Sequence, residues 1–208
     1  MLRIDHVIYG VHDLDAAGRR LFERFGLASA PGGKHEGWGT ANAIVPLGDT
    51  YVELVAVIDP EKASRSVFGR WLEVGVMERD RLMGWSLATD NLDREASRLE
   101  LTISRGSRKR PDGSVVSWRT AGLEESFADQ SLPFFIEWDG PASAHPGRTQ
   151  VEHRVAPTGI AWIDVVAPSA RLREWTDGAK LPLRVQEHEA PRLRAVGIST
   201  EEGDVVLR

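Results

Sequence analysis

One order of elements occurs twice in this chain, and that repetition limits the available folds more than any other feature. "IDHVIYGV" (Ile4–Val11) reads as a strand. "HDLDAAGRRLFERFG" follows as a helix, with Asp13 as cap, Leu14, Ala17, Leu21, Phe22 and Phe25 at helical spacing, and Gly26 as stop. "APGGKHEGWGT" is a glycine-rich loop, and "ANAIVPL" and "YVELVAV" flank the turn "GDT" as a hairpin. The order then returns. "MGWSLAT" (Met83–Thr89) is a strand, "DNLDREASRLE" a helix capped by Asp90 or Asn91, and "RGSRKRPDGS" a loop with a Pro-Asp-Gly turn. "VVSWRTAG" and "PFFIEWDG" are two further strands. "HDLD" aligns with "DNLD" at an offset of 91 − 13 = 78, and Glu53 with Glu137 at 137 − 53 = 84. The difference falls in the loop and hairpin, where insertions are cheap.

These units occupy residues 1–58 and 82–141. A partly helical connector over 59–81 carries Trp71, Leu72 and Val74 as residues to bury. A linker over 142–157 leads to residues 158–208, a fainter third copy. Its strands alternate polar and apolar residues, as half-solvated antiparallel strands do. All of this is expected to form one compact domain.

Composition removes several classes of function. The 208 residues carry 31 acidic and 26 basic side chains, a formal charge of −5, which argues against a general nucleic-acid or anionic-membrane binder. There is no cysteine, so disulfides, cysteine-zinc sites, iron–sulfur clusters and thiol nucleophiles are excluded. "MLRIDHVIYGV" is not a signal peptide, and no apolar run approaches the roughly 20 residues that span a bilayer. A cytoplasmic protein with a small-molecule partner is expected. No phosphate-binding glycine loop or GxSxG nucleophile elbow is present.

Chemistry concentrates at a few positions. Glu53 stands in the apolar run "TYVELVAV". A buried carboxylate is costly unless a cation, a metal or hydrogen-bond donors compensate it. Either Glu53 points to water or one of these meets it. His6, Glu53 and Glu137 are first-row metal-ligand types on strands that paired halves can bring together. The plainer alternative is a satisfied core histidine and two Glu–Arg pairs. "GGKHEGWGTAN" (Gly32–Asn42) suits a pocket wall or lid, with His35 as a general base and Trp38 and Asn42 beside it, or an ordinary surface loop. Arg108, Lys109 and Arg110 read as a lure for an anion or, better, as a solvated charge run. Trp85, Trp118, Phe134 and Trp138 read equally as pocket walls or core.

The tandem units, with "IDHVIYGVHDLDAA" opening the first and "YVELVAV" closing it, resemble the vicinal oxygen chelate superfamily, which includes glyoxalase I, extradiol dioxygenases and bleomycin-resistance proteins. More narrowly, "GGKHEGWGTANAIVPLGDTYVELVAV" and "LPFFIEWDGP…HPG" look like the glyoxalase-like domain family, over roughly residues 3–170. The resemblance implies an α+β fold of tandem βαβββ units forming an open, cup-shaped mixed β-sheet barrel, here with a C-terminal α/β extension. A homodimer is plausible on the same ground.

Metal-binding members of the superfamily take two ligands from each unit, on the first and last strands. Carried over, His6, Glu53 and Glu137 match three of them, and Gly84, beside Trp85, stands where the fourth should be. Three protein ligands can still hold a divalent Zn, Ni, Mn, Fe or Co ion. Otherwise His35 joins the ligands, or His6, His35 and Glu53 form a metal-free acid–base group. The implied activity is that of a glyoxalase-like lyase, isomerase or dioxygenase with His35, Glu53 and Glu137 as catalytic residues. The alternative is a metal-free binding protein of the bleomycin-resistance type, with Trp38, Asn42, Trp85, Trp118 and Phe134 around the ligand.

Overall fold

The computed structural model describes residues 1–35, 37–110 and 113–208, so Pro111 and Asp112 of the expected Pro-Asp-Gly turn lie outside the described residues. In the first unit, Asp13 accepts a hydrogen bond from the Ala16 N–H at 2.7 Å and starts α1 (Leu14–Phe25). Gly26 ends it at φ 72°, a left-handed conformation that glycine adopts without strain. Around this helix lie β1 (Arg3–Gly10), β2 (Ala30–His35), β3 (Thr40–Pro46) and β4 (Tyr51–Val57). The connector forms α2 (Pro60–Ala63) and α3 (Val67–Val76). The second unit comprises β5 (Arg81–Ala88), α4 (Leu92–Leu99), β6 (Ile103–Lys109), β7 (Val115–Ala121), α5 (Leu123–Ala128) and β8 (Phe134–Asp139). Asn91, not Asp90, caps α4 by accepting from the Arg94 N–H.

Two segments expected as loops are strands. The glycine-rich run from Ala30 is β2, and "RGSRK" belongs to β6. Here glycine permits close approach rather than flexibility. A Cβ on Gly33 would stand 2.5 Å from the Lys109 carbonyl oxygen, and one on Gly32 would strike Asn42 and Arg108. That approach lets β2 pair with β6 through Lys34 and Lys109 and join the halves at one seam.

The strands form a closed mixed barrel in the order β1-β4-β3-β2-β6-β7-β8-β5. Within each unit the first strand runs parallel to the last: Ile8 lies beside Glu53, and Ala88 beside Ile136. The second seam is the antiparallel pairing of β1 with β5. Its register shifts between Ile4–Leu87 and Val7–Trp85, which leaves Asp5 and His6 opposite Ser86 alone. This is a β-bulge, and it reverses the alternation of side chains along β1.

The barrel therefore has two apolar faces. The outer face carries Val7, Leu54, Trp85, Leu87 and Phe135. The inner face carries Ile8, Val116, Trp118, Phe134 and Ile136 and is closed at one end by Phe68, Leu72 and Val76 of α3. These three α3 residues recur every four positions and form its buried stripe. Val74, expected to be buried, lies on the opposite side and is 68% exposed.

The C-terminal segment contains β9 (Pro157–Val166), α6 (Ser169–Trp175), β10 (Leu183–Gln186), β11 (Arg192–Thr200) and β12 (Gly203–Leu207). The βαβββ order recurs, but the pairing does not. These strands form a separate sheet, β10-β9-β11-β12, in which the first strand runs parallel to the second rather than to the last. The sheet backs the barrel's outer face. Ile163, Val165, Leu172, Trp175 and Val196 share one core with Trp85 and Phe135. The Trp175 indole donates to the Pro133 carbonyl at 2.7 Å and stacks on Phe135.

Candidate functional site

The inner face holds a cavity of about 40 Å³, lined by polar groups and by aromatic rings that pack against the two imidazoles. His6 comes from β1, His35 from the end of β2, Asn42 from β3, Tyr51 and Glu53 from β4, and Arg108 from β6. Trp38, Phe68, Trp118, Phe134 and Trp138 supply most of the aromatic wall. Each polar residue reaches the cavity because its strand alternates inward and outward positions.

Glu53 has Asn42, His6 and His35 around its carboxylate and is 9% exposed. Its Oε1 accepts from the Asn42 amide, whose own carbonyl accepts from Arg108 Nη1 at 3.0 Å. The two imidazoles flank the carboxylate: His6 Nε2 lies 3.8 Å from Oε2 and His35 Nε2 lies 3.9 Å from Oε1. Asn42 thus bridges a buried cation and a buried anion that do not touch. This answers the question raised by the apolar run around Glu53: one hydrogen-bond donor, Asn42, meets it, with the Arg108 cation behind that amide rather than in contact.

His6 is oriented from behind. Its Nδ1 lies 2.6 Å from Asp5 Oδ1 and 2.8 Å from the Ser86 hydroxyl. Asp5 Oδ2 also accepts from the Trp138 indole at 3.0 Å and pairs with His145 Nε2 at 3.1 Å. Burial alone would raise the Asp5 pKa, but hydrogen bonds from His145 and His6 outweigh it and hold the carboxyl well below the usual range. An ionised Asp5 holds a proton on His6 Nδ1 and so turns Nε2 toward Glu53. His35 has its Nδ1 beside the Thr40 hydroxyl at 2.9 Å, and burial lowers its pKa despite the Glu53 charge. The same burial, with Asp5 and Glu53 close by, raises the Tyr51 phenol well above its usual value, so it remains a proton donor.

Of the residues expected in the site, His6, His35, Trp38, Asn42, Glu53, Trp118 and Phe134 meet at the cavity. Two do not. Glu137 faces away: its carboxylate accepts from the Leu92 N–H at 2.8 Å, at the start of α4, and from Arg119 at 2.7 Å. Its neighbours Ile136 and Trp138 line the cavity, and Phe134 stands beside Ser86 as Glu53 stands beside Ile8, so the alignment with Glu53 was off by three residues, an odd slip that moves a strand side chain to the other face. Trp85 is core. It lies opposite Val7 across the seam, is fully buried, and donates to the Ser131 carbonyl at 3.2 Å. Sequence reasoning missed Asp5, Tyr51, Phe68 and His145 and favoured a solvated Arg108. A second acidic residue directly before His6 was the one signal for Asp5.

The expected divalent ion does not fit these residues as arranged. Glu137 is outside, Glu53 Oε1 is already engaged, and the imidazoles approach different carboxylate oxygens. Among the described residues, no group of three His, Cys, Asp or Glu side chains is disposed to hold a metal. At Gly84, where the superfamily places a ligand, the Trp71 ring and Ser126 hydroxyl lie 3.7 Å from the Cβ position.

An outer cleft of about 530 Å³ lies behind Asp5, Trp138 and Ile136, lined also by Glu137, His145, Arg3 and Arg148. Among the described residues, no helix is long and apolar enough to cross a membrane.

The model of the glyoxalase-like domain family matches residues 4–179. No curated protein matches the chain by sequence. Among solved structures, a hypothetical protein from Staphylococcus aureus is similar with a TM-score of 0.73 at 16% identity, covering 94% of this chain and 90% of that one. At that identity the likeness shows the fold alone. Two methylmalonyl-CoA epimerases also match. The one from Mycobacterium tuberculosis has a TM-score of 0.48 and 17% identity over 68% of this chain and 91% of its own. The one from Streptomyces coelicolor, in complex with 2-nitronate-propionyl-CoA, has 0.49 and 18% over 66% and 98%. With its family model spanning most of its length, the chain belongs to the glyoxalase-like domain family.

Proposed function

We propose that the protein is a glyoxalase-like enzyme of the isomerase or lyase kind, which moves a proton on a small molecule held in the cup. One observation carries this reading. A buried carboxylate, Glu53, faces Nε2 of an imidazole whose other nitrogen is fixed by an ionised Asp5. Glu53 takes a proton from a carbon next to a carbonyl, and the electron pair becomes an enolate. The Tyr51 phenol and the Arg108 guanidinium, both at the cavity wall, stabilise the negative oxygen. Where the deprotonated carbon carries a hydroxyl whose proton passes to the enolate oxygen, Glu53 returns its proton to the former carbonyl carbon, which completes an isomerisation; His6 Nε2 can hold that proton in transit, with Asp5 stabilising the imidazolium. The aromatic walls keep water from the intermediate.

Proton NMR in D2O tests this on a panel of small carbonyl compounds. Wild type should exchange a C–H of at least one compound, and Glu53→Gln should be slower by a factor of about 10²–10⁴. Equal exchange by the variant overturns the reading. The alternative, a binding protein, is favoured by the aromatic lining; it gains if ligands bind wild type and no C–H exchanges.

A further inference from the structure

Arg108 is the least explained charge in the cup. It is 4% exposed, yet among the described residues its hydrogen bond is the single one to Asn42, and it forms no ion pair. A guanidinium has five N–H donors in a planar fork. Burying it without an anion is costly. Glu53 supplies only distant compensation, because Asn42 stands between the two. The recess is built for this arrangement: position 32 is glycine, and any Cβ there would strike both Asn42 and Arg108.

We propose that the cup takes a short-chain carboxylate, with the carboxylate on the Arg108 fork and its exchangeable C–H (C2 of a 2-hydroxy acid, C3 of a 2-oxo acid) turned to Glu53. This rests on the cup being the substrate site. The fork matches a carboxylate in two parallel bonds. One cation calls for a monoanion, and the neutral His35 adds no second charge. A cavity of about 40 Å³ holds roughly three water molecules, so the ligand has few atoms, as in a 2-oxo or 2-hydroxy acid. Trp38 and Trp118 offer flat faces to its carbon skeleton.

Tryptophan fluorescence titrations of the full chain with lactate, pyruvate, their amides and inorganic phosphate test this. The acids should bind saturably and at least about tenfold more tightly than the amides or phosphate. Arg108→Met should remove that preference, and Arg108→Lys should restore part of it. The inference is overturned if no acid binds, if an amide or phosphate binds as well as its acid, or if folded Arg108→Met keeps the preference. Should Arg108→Met fail to fold, the comparison of acid with amide on wild type decides. Acid binding without C–H exchange removes the proton-transfer reading and leaves this one standing. Exchange of neutral carbonyl compounds with no acid binding does the reverse.

Discussion

Asp5→Asn should cost stability and reset the proton on His6. The carboxylate accepts three hydrogen bonds in a nearly dry site, from His6, Trp138 and His145. Asparagine has the same shape but a single acceptor oxygen. Its best placement points that oxygen at the two donors, Trp138 and His145. Its amide then donates to His6 Nδ1, which drives the His6 proton to Nε2, against Glu53. Each bond to a charged group contributes about 1 kcal/mol more than a neutral one, so three of them amount to about 3 kcal/mol. For a chain of this size that lowers the melting temperature by roughly 6–12 °C. The pH dependence has a fixed sign. The folded carboxyl titrates well below its usual 3.8, so below that value the unfolded chain binds a proton that the folded chain refuses. The advantage of wild type is complete above about pH 5 and shrinks as pH falls below the carboxylate range. Urea denaturation of both proteins from pH 3 to 7 measures the gap. Equal stability at pH 7, or a gap that does not narrow between pH 5 and pH 3, refutes the charged Asp5.

Three further substitutions separate the cup from its surroundings. Gly32→Ala should displace Asn42 and Arg108, cost about 1–3 kcal/mol in denaturant midpoint, and weaken ligand binding in fluorescence titration. Glu137→Gln should cost about 1 kcal/mol by weakening its bonds to Arg119 and the start of α4, with C–H exchange unchanged. Trp85→Phe should cost about 1–3 kcal/mol from lost volume and an unpaired Ser131 carbonyl, while ligand affinity stays at the wild-type value.

Much of the barrel was legible because a repeated order of elements survives loop insertion. The helix caps Asp13 and Asn91 and the hairpin around "GDT" follow from local chemistry. His6 and Glu53 were legible because a titratable group inside an apolar strand demands a partner. Glu137 was not, since a strand repeats every two residues and an insertion of unknown length leaves the facing undetermined. Arg108 sits in a charge run, and its burial comes from the β2–β6 seam, a contact between segments far apart in the chain. Asp5 was hidden by the bulge, which overrides the alternation a sequence displays. The C-terminal sheet shows that element order does not fix strand order.

The most direct test is a crystal structure with lactate or pyruvate bound. The account predicts the carboxylate on Arg108 and the carbon that bears the exchanging C–H (C2 of lactate, C3 of pyruvate) about 3–3.5 Å from a Glu53 oxygen, the separation that proton transfer requires. A ligand seated in the outer cleft beside His145 and Glu137, with Glu53 untouched, would contradict it.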